Sequence, residues 1–498
     1  MKIGVLKESK LLARHSMIYG VGILLNQAVA LLLLPLYTRY LTVTDYGIKE
    51  LIAITMNVIS MLATTAVSSA IFRFYFESEG DRDKDEVIGT SMIALVTIGG
   101  LLFLVVSIAS TMLSKLILDS RELSHLFIIA VGSLWVQAVN GVGLDYLRAN
   151  RKSLLFIIVS AISLLSHVGL NILFIVFLHK GVTGIFISTL ISSILMFGYL
   201  TVPVIIKTKL RFSLNRLKEM LRFGLPMIPS SIGAFVVHTS DRFFIKAFCS
   251  IGDAGLYSLG YRFGILPGTF VSQPFNQVWM PRRLEVYKAP NAEQVFGKIF
   301  TYFLLLIVFA GLGISVLSLE ILKIIAAPEF WQAYQVVPII VLANIVFTMH
   351  YHFNMGIVIS KKTKLFALIN FSNGFLVLGL NTVLIKYYGI YGAAYATLIA
   401  FMYKVALTYY FSNRLYKIYF EGIRIIKICF AATILFVVCQ NFHDGNPYWD
   451  GSIKTAIILT YPAILYILRF YSQQELEKIR LVVKKIMGLK ASTKTGMS

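Results

Sequence analysis

Arg14–Leu51, RHSMIYGVGILLNQAVALLLLPLYTRYLTVTDYGIKEL, is the stretch whose reading decides the fold. It opens on cations, runs about twenty residues without a charge, and closes on Thr44-Asp45-Tyr46-Gly47 before a second apolar run, the pattern of a membrane-spanning helix with its cap. The chain then repeats this plan. One constant offset carries Arg14 onto Arg222, Asp45 onto Asp253 and Gly47 onto Gly255, and also Gly181, Gly184, Thr189, Leu190 and Ile191 onto Gly389, Gly392, Thr397, Leu398 and Ile399. Arg151-Lys152-Ser153 and Asn171 fall on Lys361-Lys362-Thr363 and Asn381 after a two-residue slip, as a small loop insertion requires. The sequence therefore contains an internal duplication, and function is expected at its pseudo-symmetry axis.

Composition fixes the class. The 498 residues are 57% hydrophobic and 14% charged, and the mean hydropathy is +0.77, outside the range of soluble globular chains. The apolar runs have helical length and not the alternation of an outer-membrane barrel, so an all-α integral membrane protein is expected. A net charge of +22 points to nucleic acid in a soluble protein. Here the cations sort by loop: with the amino end cytoplasmic, every second loop is basic, from Lys2–Arg14 through Lys207–Arg222 to the tail beyond Arg469. The alternate loops hold few, chiefly Arg39, Lys49, Lys115, Arg121, Lys180, Lys386 and Lys454. That is the positive-inside rule, and it accounts for most of the charge without a nucleic-acid partner.

Hydropathy and loop charge predict about fourteen transmembrane helices, at 15–37, 47–72, 87–113, 123–146, 154–178, 183–206, 222–246, 253–279, 299–326, 332–360, 365–386, 390–413, 423–440 and 453–470. They form two pseudo-symmetric six-helix lobes plus two extra C-terminal helices: residues 1–206, an amphipathic cytoplasmic linker 207–221, residues 222–413, and 414–498 with its basic tail. Both termini are then cytoplasmic. The loops are too short for a catalytic domain. Cys249, Cys429 and Cys439 have no metal-ligand or CxxC spacing. No Walker loop, HExxH or other cofactor motif occurs, so neither an enzyme nor an ATP-driven pump is expected.

Several blocks resemble a known family. Leu34-Pro35-Leu36-Tyr37-Thr38-Arg39-Tyr40-Leu41, Asp45-Tyr46-Gly47, Arg73-Phe74-Tyr75-Phe76-Glu77, Phe223-Gly224-Leu225-Pro226-Met227-Ile228-Pro229, Asp241-Arg242-Phe243-Phe244-Ile245 and Gly255-Leu256-Tyr257-Ser258 are similar to the Wzx-type polysaccharide and O-antigen flippases of the multidrug/oligosaccharidyl-lipid/polysaccharide superfamily. The resemblance runs from about residue 14 to 413. It implies two lobes about a central cavity in the bacterial cytoplasmic membrane, and movement of a polyprenyl-pyrophosphate-linked oligosaccharide from the inner to the outer leaflet. Polysaccharide polymerase and chain-length proteins are its implied partners. A lipid II flippase or a multidrug exporter is the alternative within the superfamily, and a membrane-embedded glycan polymerase the alternative outside it.

Charged residues inside spans carry the functional reading, because each costs on the order of 3 kcal/mol to insert unless it meets a wet cavity or a partner. Arg262 lies about 13 Å along a helix from Asp253, with Ser258, Tyr261, Thr269, Gln273 and Asn276 at helical spacing. Its guanidinium suits a pyrophosphate, to which it donates paired bonds, or else it pairs with Asp241. Lys404 is the second intramembrane cation, and Arg242 lies nearer the outer end of its span. Arg73, Arg14 and Arg222 sit at cytoplasmic mouths, where substrate capture and topology give the same signal. For a coupling proton or sodium ion the candidates are Asp241, His238 and Asp145, although Asp241-Arg242 also reads as a local ion pair. Asp45 and Asp253 read as helix caps.

Overall fold

The computed structural model describes residues 32–442 and 445–477, and every regular element in them is helical. Among the described residues ten helices are long and apolar enough to cross a membrane, including Val43–Glu77, Asp81–Leu118, Ser124–Ala149, Ala292–Ile325 and Gly422–Cys439. The expected span 15–37 lies outside the described residues except for its end, a short Leu34–Tyr40 helix with proline in its first turn. The spans expected at 253–279 and 453–470 are each broken. The first becomes Ile251–Gly264 and Gln273–Val286, separated around Pro267, and the second becomes Pro447–Leu459 and Tyr461–Ile467, the latter with Pro462 in its first turn. Proline removes a backbone donor and crowds the preceding turn, which is why these helices break where they do.

Several helices outrun the hydrocarbon. Val43–Glu77 has 35 residues, roughly 50 Å at 1.5 Å per residue against an apolar slab of ~30 Å. It begins in a capping box, with the Thr42 hydroxyl accepting from Asp45 N and the Asp45 carboxylate accepting from Thr42 N. Asp81–Leu118 starts with Asp81 and Asp83 against its positive helix end. The connection expected between spans 47–72 and 87–113 thus shrinks to the residues between Glu77 and Asp81, because helix continues past the point where hydropathy falls.

Local geometry repeats at equivalent positions. Ser250 and Asp253 exchange hydrogen bonds as Thr42 and Asp45 do. Leu173–Phe177 and Asn381–Ile385 are both π-helical turns, and Arg151 and Lys361 are both left-handed, with φ of 56° and 54°. Gly181 and Gly389 have φ of 54° and 56°, a conformation a side chain would strain. At Gly389 this turn separates the spans expected at 365–386 and 390–413.

The residues group into two compact units. In the first, the chain up to Gly260 with Ile325–Val336 and Ala367–Ala400, the core gathers Val67, Ile71, Val87, Ile88, Val142 and Met220. There the two duplicated glycines meet: a Cβ on Gly47 would strike the Ile251 carbonyl, and one on Gly255 would strike Val43 O and Gly47 N. This reciprocal contact lets two helices cross backbone to backbone. In the second unit, Tyr261–Ile324, Val337–Phe366 and Phe401 onward, the C-terminal helices attach to Ala292–Ile325 through two polar clamps. Lys454 pairs with Glu320, and Glu475 accepts from Tyr302 while Arg424 grips it at 2.9 Å. Lys454 is therefore a buried helical residue and not an outer-loop cation.

Candidate functional site

The first unit holds a closed polar centre at the start of the Asp241–Phe248 helix. Asp241 and Arg242 are only 4% and 5% exposed. Arg242 Nη1 donates to Asp241 Oδ1 at 2.5 Å and to the His238 carbonyl at 2.9 Å, and Tyr257 OH donates to Asp241 Oδ2 at 2.6 Å. The guanidinium lies 5.1 Å from the Tyr257 ring centroid, and Tyr257 OH is 3.4 Å from Thr397 Oγ1. Asn381 Nδ2 reaches Ser240 Oγ at 3.5 Å. The local ion pair is thus observed, with Tyr257 bonded to the same carboxylate.

A second centre occupies the equivalent helices of the first repeat. Lys49 Nζ pairs with Glu50 Oε1 at 2.6 Å and lies 5.3 and 5.0 Å from the Tyr37 and Tyr46 ring centroids. Tyr37 OH donates to Asn171 Oδ1 at 3.0 Å, Asn171 Nδ2 to the His167 carbonyl at 2.7 Å, and His167 Nε2 contacts Thr189 Oγ1 at 3.2 Å. The sequence offset of the expected duplication takes Thr189 to Thr397 and Lys49 to Tyr257. Lys49 was expected in an outer loop; it is buried inside the Val43–Glu77 helix, where Glu50 and two aromatic rings offset its insertion.

In the second unit Lys404, 9% exposed, holds its ammonium 5.1 Å from the Phe347 ring centroid, and no carboxylate lies within ion-pair distance among the described residues. One turn on, Thr408 donates to the Lys404 carbonyl at 2.8 Å and contacts His350 Nδ1 at 3.1 Å. Arg262 is half-buried in the last turn of Ile251–Gly264. The α-helix ends at Gly264 and Thr269 lies in the π-helical turn Gly268–Ser272, so the regular spacing expected of the polar stripe does not continue past Arg262.

The remaining candidates lie apart. Arg73 is exposed, donates to Glu77 at 2.9 Å and lies 4.6 Å from the Phe223 ring centroid. Asp145 is buried and pairs with Arg148 at 2.7 Å. Arg222 is exposed in the last turn of the Leu214–Gly224 linker helix, and Arg14 lies outside the described residues. His238 is half-buried and serves the centre through its carbonyl. Sequence reasoning passed over Arg283, counted as a loop cation. It sits in the Gln273–Val286 helix, 8% exposed, and its only sequence signal was its place just after Pro281 and Arg282.

Residues 36–332 match the polysaccharide biosynthesis protein family. A protein of the Lsg locus of Haemophilus influenzae is 24% identical over 286 residues, which cover 55% of this chain and 66% of that relative's length. Among solved structures, the lipid II flippase MurJ in an inward closed conformation has a TM-score of 0.68 at 19% identity, covering 92% of this chain and 99% of that one. An inward-facing multidrug resistance MATE family transporter of the MOP superfamily has a TM-score of 0.63 at 15% identity, covering 78% and 94%. The chain belongs to the polysaccharide biosynthesis protein family, as an all-helical, multi-pass membrane protein with the fold of the MurJ and MATE transporters.

Proposed function

We propose that the protein is a flippase that carries a polyprenyl-pyrophosphate-linked oligosaccharide from the inner to the outer leaflet of the bacterial cytoplasmic membrane, with both termini in the cytoplasm. The observation that carries this reading is Lys404, a buried ammonium mid-way along a membrane helix with no acidic partner among the described residues. Burying an unpaired charge costs several kcal/mol, and an anionic cargo is the natural compensation. Lys404 and Arg262 are the direct contacts for the diphosphate. Arg242 contributes through its local pair, and Arg73, Arg14 and Arg222 receive the headgroup at the cytoplasmic side. The polyprenyl chain stays in lipid, and alternating exposure to each leaflet moves the sugars.

Lipid II is the second cargo considered, favoured by the fold likeness to MurJ over 99% of that chain; the family match favours a polysaccharide unit. A cationic drug is disfavoured, because it would meet Lys404 as a like charge. Coupling is assigned to an H⁺ or Na⁺ gradient at the Asp241 centre, where Tyr257 and Arg242 hold the carboxylate between neutral and charged partners.

The test is surface glycan in cells carrying Lys404→Gln, Lys404→Arg or Arg262→Ala, with protein abundance measured alongside. Lys404→Gln and Arg262→Ala are expected to accumulate normally and lose export, whereas Lys404→Arg retains part of it. Normal export by a well-expressed Lys404→Gln removes the observation on which the reading stands.

A further inference from the structure

A second cation without an acidic partner among the described residues lies in the second unit, at the last turn of the Val337–Phe353 helix, where His350 also contacts Thr408. Arg283 is 8% exposed. Its Nη1 donates to the Tyr351 carbonyl and to Asn354 Oδ1, both at 2.8 Å. These neutral acceptors satisfy two of its five N–H donors and cancel none of its charge. Its Nε is buried with no hydrogen-bond partner, and no carboxylate pairs with it among the described residues.

Its surroundings point the same way. His352, 7% exposed, leaves Nε2 without a hydrogen-bond partner, its ring packed between Phe303 at 4.4 Å and Phe300 at 5.4 Å. Arg283 donates to the Tyr351 carbonyl, between the two histidines in sequence, and Thr408 joins His350 to the Lys404 carbonyl. This part of the unit thus holds two buried cations and two imidazoles, and among the described residues no carboxylate is ion-paired to either cation. A guanidinium kept only as a cap for Tyr351 and Asn354 needs no charge, because a neutral amide makes the same bonds at a smaller desolvation cost.

We infer that Arg283 is an anion-binding station for a phosphate-bearing group, nearer the cytoplasmic end of the unit than Lys404, with Nε as the donor that the anion engages. This deepens the cationic-interior reading above and rests on it for the cargo's class. The site takes a diphosphate borne by a prenyl lipid or free in solution, since the guanidinium recognises the same oxygens in either.

Trp279, one turn before Arg283 and packed on Phe275 and Phe296, is a local fluorescence reporter once Trp135, Trp331 and Trp449 are replaced by Phe. Purified protein is titrated with farnesyl pyrophosphate, inorganic pyrophosphate and farnesol, and its melting temperature is followed in parallel. Asn354→Asp is the decisive variant. It places a carboxylate where the neutral oxygen already meets Arg283, so the protein is expected to melt no lower than the parent while affinity for the diphosphates falls at least tenfold. Arg283→Gln is expected to lose the same affinity, and carries the test should Asn354→Asp not accumulate.

Binding of farnesyl pyrophosphate alone assigns the site to a lipid-borne group, binding of both diphosphates to the diphosphate itself, and farnesol is expected not to compete. Equal diphosphate affinity in the parent and Asn354→Asp, or no saturable binding to either diphosphate, overturns the inference. Binding in detergent needs no flipping. Failure here leaves the Lys404 export result standing, and failure of that result leaves this titration interpretable.

Discussion

Removing one member of the Glu320–Lys454 pair is expected to cost far more than removing both. Each side chain is 3% exposed, Glu320 Oε2 has no hydrogen-bond partner, and Asp450, one turn before Lys454, is 1% exposed. Lys454→Met leaves the buried Glu320 carboxylate without its ion-pair partner, a loss of about 3–5 kcal/mol. Glu320→Leu likewise strands the buried Lys454 ammonium. With Glu320→Leu and Lys454→Met together neither charge of the pair remains, and the loss falls well below the sum of the singles, a coupling of roughly 2–3 kcal/mol. Unfolding of purified protein in mixed micelles, titrated with a denaturing detergent, measures each corner of the cycle. Additive losses, with the double variant as unstable as the singles combined, refute the argument that this pair fastens the C-terminal helices to Ala292–Ile325.

Three shorter predictions follow from separate features. In a cysteine-free background, Lys180→Cys and Tyr448→Cys are expected to react with an impermeant thiol reagent added outside cells, while Lys152→Cys and Thr363→Cys do not; the opposite labelling refutes the orientation. Gly47→Ala and Gly255→Ala each drive a methyl into fixed backbone at the helix crossing, so membrane accumulation is expected to collapse, and wild-type levels of either variant refute the close approach. Burial alone raises the Glu475 carboxyl, but the hydrogen bonds from Tyr302 and Ser472 N and the Arg424 charge outweigh it and hold its pKa below the ordinary 4.5. A depressed carboxyl contributes stability that is present above its ordinary value and lost as pH falls through the folded one. Melting temperature measured from pH 6 downward is therefore expected to drop less in Glu475→Gln than in the parent, and identical slopes contradict the assignment.

How much was legible in the sequence depends on whether a feature is local. Asp45 could be read as a capping residue directly, and the constant offset that carries Asp45 and Gly47 onto Asp253 and Gly255 is the ground for expecting a duplication. Apolar run length and alternating loop charge are likewise local, and they revealed the helical membrane class. Burial of a charge is not local. Lys454 meets Glu320 across 134 residues of chain, and hydropathy sees only a cation near a span end, so Lys454 and Arg283 were assigned to loops. Lys49 failed differently, because its partner Glu50 is adjacent and two neighbouring charges mimic a loop. Helix ends were misjudged for a physical reason as well: the bilayer sets where apolarity stops, whereas Asp81, Asp83 and the Arg73–Glu77 pair carry helix on into water.

The central claim is transport of a lipid-borne diphosphate by an uncompensated cationic interior. Its most direct test is leaflet transfer of a fluorescent polyprenyl-pyrophosphate-linked oligosaccharide in sealed proteoliposomes, with an imposed ion gradient and with that gradient and the membrane potential collapsed. One charge moved through 100 mV is worth about 2.3 kcal/mol, enough to bias the cycle. Transfer by the parent protein that requires the gradient and is lost in Lys404→Gln is the predicted result. Transfer at the protein-free rate by well-folded parent protein, or undiminished transfer by Lys404→Gln, contradicts it.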